Sequence, residues 1–331
     1  MREVHVAIVG LGAFGQRYAR ALASMDGVAV RWAIDSNEER LTEAHTQLGI
    51  PRVSTALADA CRDPEVAAVI VVTPEAAHRE AVVAALTAGK DVLVEKPLAT
   101  SDTDADAMIA AADASGKRLM VAMLLRFDYR YARLRERLRQ IGRIRSIYAY
   151  RNFDRSLFEQ YSRTHSFVEN AIHDIDLILW YVQRPVAQVH GFCRNSLGRE
   201  NPEVNWGVLE FDGGALATLQ TSWLYPPQPH ADLQWNAGIQ VMGEHGVLEV
   251  RSDATGFVAN TEETGLRLLD QTAWDDLYGE PRGAFGAMLR HTLAVWRGAV
   301  PYAGTTARQA AEAMRIANAL VADAQNREVF L

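Results

Sequence analysis

Three short stretches of this 331-residue chain combine residue types at spacings that do chemistry. Gly10-Leu11-Gly12-Ala13-Phe14-Gly15 fits G-x-G-x-x-G. In that pattern Gly10 permits a tight turn, Gly12 lets the backbone approach a pyrophosphate, and Gly15 lets a helix pack closely on its strand. Ala13 and Phe14 then open a helix whose N-terminus faces the anion. Asp35 ends the next apolar stretch, where a carboxylate accepts hydrogen bonds from the hydroxyls of an adenosine ribose. Ser36 and Asn37 follow, with no arginine directly beside the carboxylate to hold a 2′-phosphate, so NAD is expected over NADP; Arg40 is the nearby exception. A plainer role for Asp35 is capping a helix that begins at Glu38.

The second stretch is split between two strand ends. Val66 to Val72 runs into Thr73-Pro74, with His78 close behind, and Asp91 to Val94 runs into Glu95-Lys96-Pro97. Ligands of an open parallel sheet lie across the carboxyl ends of its strands, which makes Thr73, Pro74, His78, Glu95 and Lys96 candidates for cofactor contact. An acid, a base and a rigid turn at that edge also form a catalytic element, against the alternative of a surface loop. The third stretch is Glu169-Asn170-Ala171-Ile172-His173-Asp174-Ile175-Asp176. Spacing of i, i+4 and i+7 puts Glu169, His173 and Asp176 on one helical face. An imidazole flanked by carboxylates can be oriented and kept basic, as a general base requires. A buried structural histidine and a divalent-metal site are the other readings; no further ligand cluster accompanies it, and no metal is expected.

Taken together these elements resemble the Gfo/Idh/MocA family of NAD(P)-dependent oxidoreductases over essentially the whole chain. The resemblance implies that Lys96 sits beside nicotinamide and substrate, that Pro97 is cis and re-aims the lysine, and that His173 exchanges a proton with the reacting hydroxyl. Glu169 stands where many members carry an Asp four residues before the catalytic histidine, and Thr164-His165-Ser166-Phe167 replaces a run that is often glycine-rich. Tyr150-Arg151-Asn152 and Ala171 to Asp176 look most like the inositol-dehydrogenase branch. Arg126-Phe127-Asp128 matches the family's domain junction, which adds Arg126 to the cofactor contacts. Asn152 and Tyr278 fall at positions resembling inositol-binding residues, beside Lys96 and His173, and His230 is a further candidate for substrate hydroxyls. The implied activity is NAD-dependent oxidation of a secondary hydroxyl of a cyclitol or sugar to a ketone. Some relatives instead cleave glycosides with a retained NAD, and others are dinucleotide-binding sensors. Lys96 and His173 together argue against a sensor. A homodimer or homotetramer built through the second domain is also implied.

The elements that must position these residues are legible as two rhythms. Up to residue 125, short apolar runs (Val4 to Val9, Val28 to Ile34, Val66 to Val72, Asp91 to Val94, Leu119 to Leu124) alternate with Ala-rich helical segments (Phe14 to Met25, Glu38 to Leu48, Glu75 to Ala88, Thr103 to Ser115). Strands apolar without alternation are buried on both faces, as in a parallel sheet. The fold class is therefore α/β, with an N-terminal doubly wound Rossmann domain over 1–125. Over 126–331 longer strands are expected (Ile144 to Arg151, Val186 to Arg194, Trp206 to Phe211, Ala215 to Trp223, Gln234 to Met242), with helices Phe167 to Val182, Leu277 to Arg297 and Thr305 to Gln325. That is an α+β domain with a large, mainly antiparallel sheet, suited to substrate binding and oligomerisation.

Composition bounds the class. The 34 basic and 41 acidic side chains leave a net charge of −7, which argues against a nucleic-acid partner. The longest apolar run falls far short of the roughly 20 residues that span a bilayer, so no membrane role is expected. Two cysteines and no signal-like start lead to an expectation of a reducing cytoplasm.

Overall fold

The computed structural model describes residues 3–161, 163–226, 235–252, 258–261, 265–268, 273–274 and 276–327. Two compact units emerge from the backbone contacts: Met1–Leu124 with Asp276–Ala311, and Leu125–Asp275 with Glu312–Leu331. The expected division near residue 125 leaves everything downstream in one domain, whereas Asp276–Ala311 belongs with the first unit. Phe285 of that returning segment meets Tyr18 edge to face, with ring centroids 4.9 Å apart. A long-range contact of this kind leaves no periodic trace in sequence.

In the first unit β1 (Val4–Val9), β2 (Val28–Ile34), β3 (Arg52–Ser54), β4 (Ala68–Val71), β5 (Asp91–Val94) and β6 (Leu119–Val121) form one sheet in the order β3-β2-β1-β4-β5-β6. Every pair is parallel. The helices α1 (Ala13–Ala23), α2 (Glu38–Thr46), α3 (Leu57–Arg62), α4 (His78–Thr87) and α5 (Asp102–Ser115) alternate with the strands. All four residues of β4 and of β5 are buried, which explains their unbroken apolar character. Strand order turns back between β1 and β4, the switch point where such sheets bind ligands. β3 and α3 have no counterpart in the sequence expectation, since three residues are too few to show a period. The strand expected to reach Leu124 stops at Val121, and a 3-10 turn occupies Leu124–Phe127. The helix expected from Leu277 begins only at Gly283: Asp276–Leu277 and Glu280–Pro281 pair as a small hairpin. Its turn is Tyr278-Gly279, both with positive φ (55° and 79°), the tight type that matches strand twist.

The second unit holds α6 (Tyr129–Arg137), β7 (Ile144–Asp154), α7 (Phe158–Tyr161), α8 (Ser166–Glu169), α9 (Ile172–Val182), β8 (Val186–Arg194), β9 (Val204–Phe211), β10 (Leu216–Tyr225), β11 (Trp235–Gly243) and β12 (Val247–Arg251). Its sheet runs β12-β11-β7-β10-β9-β8. Only β7 and β10 pair in parallel; the remaining pairs are antiparallel. One face is core, with Ile147, Ala149, Leu209, Ala217, Leu219, Ile239 and Val241 buried. The single helix expected over Phe167 to Val182 is two: α8 ends at Glu169, and α9 starts at Ile172 after a turn at Asn170-Ala171. Gln234 and His230 lie outside the described residues. Among the described residues no helix is long and apolar enough to cross a membrane.

The helix Ala307–Asn326 lies directly on the edge of this sheet. A Cβ built on Gly191 of β8 would stand 2.0 Å from the Leu320 carbonyl oxygen, so backbone meets backbone with no room for a methyl group. Gly191→Ala is therefore expected to destabilise the protein by about 1–3 kcal/mol, the usual cost of overpacking. Calorimetry of the variant against wild type checks this; an unchanged melting temperature refutes it.

Candidate active site

The first unit brings the glycine motif, Asp35, Thr73 and the Glu95-Lys96-Pro97 turn to the carboxyl edge of its sheet, immediately after β1, β2, β4 and β5. Gly10 has φ +94°, and a Cβ there would stand 2.6 Å from the Val72 carbonyl oxygen. At Gly15 a Cβ would fall 1.9 Å from the Gly10 carbonyl oxygen, so α1 presses on the turn beneath it. Gly12 differs: a Cβ there meets nothing within 4 Å. Packing does not demand that glycine, and the open space over it would admit close approach of a ligand. Ala13 and Phe14 open α1 and are exposed.

Asp35 is buried and is not a helix cap. Its Oδ2 accepts the Leu11 N–H at 2.6 Å and its Oδ1 the Asn37 N–H at 2.9 Å. The cap of α2 is Asn37, whose side chain accepts from Glu39 and Arg40. Each carboxylate oxygen carries two acceptor sites, so Asp35 can brace the glycine turn and still receive ribose hydroxyls. Ser36 is exposed beside it. Arg40 Nη1 lies 3.7 Å from Asp35 Oδ2 with its side chain 48% exposed, which puts the cation noted in sequence beside the braced carboxylate.

Thr73 Oγ1 is buried and has no hydrogen-bond partner among the described residues, and Pro74 beside it is exposed. An orphaned hydroxyl at this edge, the open space over Gly12 and the braced carboxylate fit a dinucleotide. His78 serves the backbone. Its Nδ1 faces the Pro97 carbonyl at 3.0 Å and its Nε2 the Thr73 carbonyl at 3.0 Å, tying the loop after β4 to the loop after β5. Burial pushes the imidazole below its ordinary pKa, against the carbonyl contacts and the nearby Glu75.

Glu95 works in the same way one strand along. Its Oε1 accepts the Tyr18 hydroxyl at 2.7 Å, and its Oε2 lies 3.0 Å from the Lys96 backbone N–H. Tyr18 is fully buried, and burial together with the Glu95 carboxylate pushes its phenol well above the ordinary range. The Lys96–Pro97 peptide is cis, and the Lys96 side chain is half-buried. Nothing in the local sequence pattern marks Tyr18, because its partner lies 77 residues away.

In the second unit His173 occupies the first turn of α9 and is half-buried. Glu169 is buried at the end of α8, so the two are separated by a turn and do not share one continuous helical face. Asp176 is committed elsewhere: Arg126 Nε and Nη2 donate to its two oxygens at 2.9 and 2.7 Å. That interaction places the Arg126 guanidinium, expected at the cofactor, on a buried carboxylate and against the Trp180 ring at 5.3 Å. Asp174 is held likewise by Arg151, from Nε at 2.8 Å and Nη2 at 2.9 Å. A signal for Arg151 existed: it is a charged residue on the buried parity of β7, after Ile147 and Ala149. Asn152, on the opposite face, accepts from the Gln220 amide at 2.8 Å. Tyr278, at its hairpin tip, is 93% exposed.

Comparison with known proteins agrees with this geometry. Residues 4–123 match the model of the GFO_IDH_MocA oxidoreductase family, NAD-binding Rossmann fold, and residues 131–249 match the GFO/IDH/MocA C-terminal domain. The chain is 31% identical over 271 residues to an inositol 2-dehydrogenase of Salmonella paratyphi B, covering 79% of this chain and 78% of that one. It is 28% identical over 235 residues, 68% of each chain, to a scyllo-inositol 2-dehydrogenase (NAD(+)) of Bacillus subtilis. The fold matches the crystal structure of scyllo-inositol dehydrogenase from Lactobacillus casei with bound NAD(H) and scyllo-inositol, with a TM-score of 0.81 over 98% of both chains at 19% identity. With its glycine turn, braced Asp35, Lys96 and His173 in the elements described, the chain belongs to the GFO/IDH/MocA family of NAD-binding oxidoreductases.

Proposed function

We propose that this protein oxidises a secondary hydroxyl of a cyclitol to the ketone, with NAD as its cofactor. The observation that carries the reading is the pair Lys96 and His173, retained in a chain whose relatives are named inositol dehydrogenases. NAD, when bound, supplies the hydride acceptor. Gly10, Gly12 and Gly15 admit its pyrophosphate, Asp35 takes the ribose hydroxyls, and Thr73 offers its buried hydroxyl. His173 is the base for the reacting hydroxyl, and the Lys96 ammonium is a hydrogen-bond donor for the charge that develops in the reaction. Glu169 orients the imidazole; Asn152, on the sheet face opposite Arg151 and bonded to Gln220, has no part in this reading. Glu95 and His78 act one step back, holding the backbone on either side of Lys96. Arg126 contributes through Asp176 rather than through the cofactor, and Tyr278 has no part in this reading.

Two finer points extend the proposal. The protein works in the cytoplasm, in keeping with two free thiols. It assembles through the open face of the second sheet. Strand register puts Tyr148, Phe192, Trp206, Leu216, Met242 and Val247 on that one face, and each is 40–49% exposed. Several large apolar side chains exposed on one face mark an interaction surface, and a face of paired strands suits a second copy of itself.

Three measurements test these statements. Gly12→Ala is expected to keep the wild-type melting temperature yet lose NAD affinity about tenfold or more by fluorescence titration. Gly15→Ala is expected to lower the melting temperature, and the reverse pattern would refute the cradle. In an NADH-forming screen of myo-inositol, scyllo-inositol and aldoses, at least one cyclitol is oxidised. With that substrate, Lys96→Ala and His173→Ala each lose about 10²–10⁴-fold in turnover while still binding NAD; near-wild-type rates in both variants would sink the mechanism. Trp206→Arg converts the oligomer to a smaller species in light scattering, and an unaltered mass removes the sheet face as the interface.

A further inference from the structure

His173 sits between two buried ion pairs, and both run to its own helix. Successive residues of an α-helix are about 100° apart, so Asp174 lies about 100° to one side of His173 and Asp176 about 60° to the other. Each carboxylate takes a two-pronged arginine, Arg151 from β7 and Arg126 from the turn before α6. The side chains are 5% and 2% exposed in the Arg151–Asp174 pair and 4% and 2% in the Arg126–Asp176 pair.

Stability does not explain two such pairs side by side. Burying an ion pair costs desolvation that its attraction barely repays, and apolar residues of similar volume serve as well or better. What a forked guanidinium on a carboxylate adds is direction, since both donors must meet both oxygens at once. Further along α9, Tyr181 in the last turn donates its hydroxyl to the Tyr131 carbonyl at 3.1 Å, but most of the buried surface around His173 lacks direction. Ile172, Ile175, Leu177 and Ile178 are fully buried hydrocarbon, a kind of contact that loses uniqueness before it loses stability. The helix is also short and begins after the break at Asn170-Ala171, so α8 does not fix its rotation.

We propose that Arg151 and Arg126 are positioning residues that set the rotation and axial position of α9, and through them the placement of the His173 imidazole. The proposal rests on His173 being the base. Arg126 also locks the next turn of the helix, because its guanidinium lies over Trp180, four residues beyond Asp176. A base displaced by about 1 Å typically loses on the order of 10²-fold in rate, whereas NAD binding has no stake in the position of α9.

The test uses the full-length protein carrying Arg151→Met together with Asp174→Leu, which removes both charges and leaves neither one buried alone. Thermal stability is expected to be unchanged or raised, and NAD affinity unchanged. With the best cyclitol of the screen, scyllo-inositol and myo-inositol being the named probes, kcat is expected to fall about 10- to 100-fold with KM little altered. Amide exchange across Ile172–Asp176 becomes faster, a readout that needs no activity. Arg151→Lys, which keeps the charge but loses the fork, gives an intermediate kcat. Wild-type kcat with unchanged exchange in the double variant overturns the proposal. Should that variant not fold, Arg151→Lys decides: reduced kcat at unchanged NAD affinity supports the proposal, and wild-type kcat refutes it. His173→Ala in the same assay separates the two claims. If it keeps turnover, the base assignment is wrong, and amide exchange alone judges whether the pairs hold the turn.

Discussion

A carboxylate drawn out of water needs donors in place of its hydration, and several buried or half-buried carboxylates of this protein are met on both oxygens. Each buried acid costs several kcal/mol unless donors replace its hydration, so the chain folds to deliver those donors. Asp35 takes two backbone N–H groups, Glu95 a phenol and its neighbour's N–H, and Asp174 and Asp176 one arginine apiece. Asp63 belongs to the same set, accepting from Arg31, Trp32 and Arg52 at a point that ties β2 to β3; those donors hold its carboxyl far below the usual range despite burial.

Function follows from where these anchors lie. In the first unit they brace the loops at the carboxyl edge of the parallel sheet, so the glycine turn, Thr73 and Lys96 stand on supports formed within the protein itself. Asp35 fixes the turn at Leu11 and offers its spare lone pairs outward. Glu95 fixes Lys96 by its backbone N–H. Supports of this kind lower the ordering cost that a bound dinucleotide would otherwise impose.

In the second unit the same device works on a helix. His173 is polar, half-buried and set among isoleucines and two arginine-bound carboxylates, a place where the apolar packing alone leaves rotational freedom. The flanking arginines supply the missing direction. The open side of the sheet obeys a different rule: exposed side chains such as Tyr148 and Trp206 alternate with buried ones along β7 and β9, so strands that build the core also present apolar groups outward.

Much of this was determined by sequence alone, because the signals involved are local. Unbroken apolar runs, glycine spacing and polar strand ends set the α/β class, the sheet edge that matters, and the positions of Gly10, Gly12, Gly15, Asp35, Thr73, Lys96 and His173. What tertiary structure alone decided are the partnerships. Glu169, His173 and Asp176 have the spacing of one helical face, yet a turn at Asn170-Ala171 divides them and Arg126 claims Asp176. Arg126 itself reads as a cofactor contact until its carboxylate, 50 residues away, is seen. The return of Asp276–Ala311 to the first unit and the Tyr18–Glu95 bond have no local signal for the same reason, whereas β3 and the hairpin at Tyr278 are too short to show a period. Periodicity reports which face of an element is buried, but the identity of the group that meets it is set by contacts between distant residues, and those leave no mark on the local pattern.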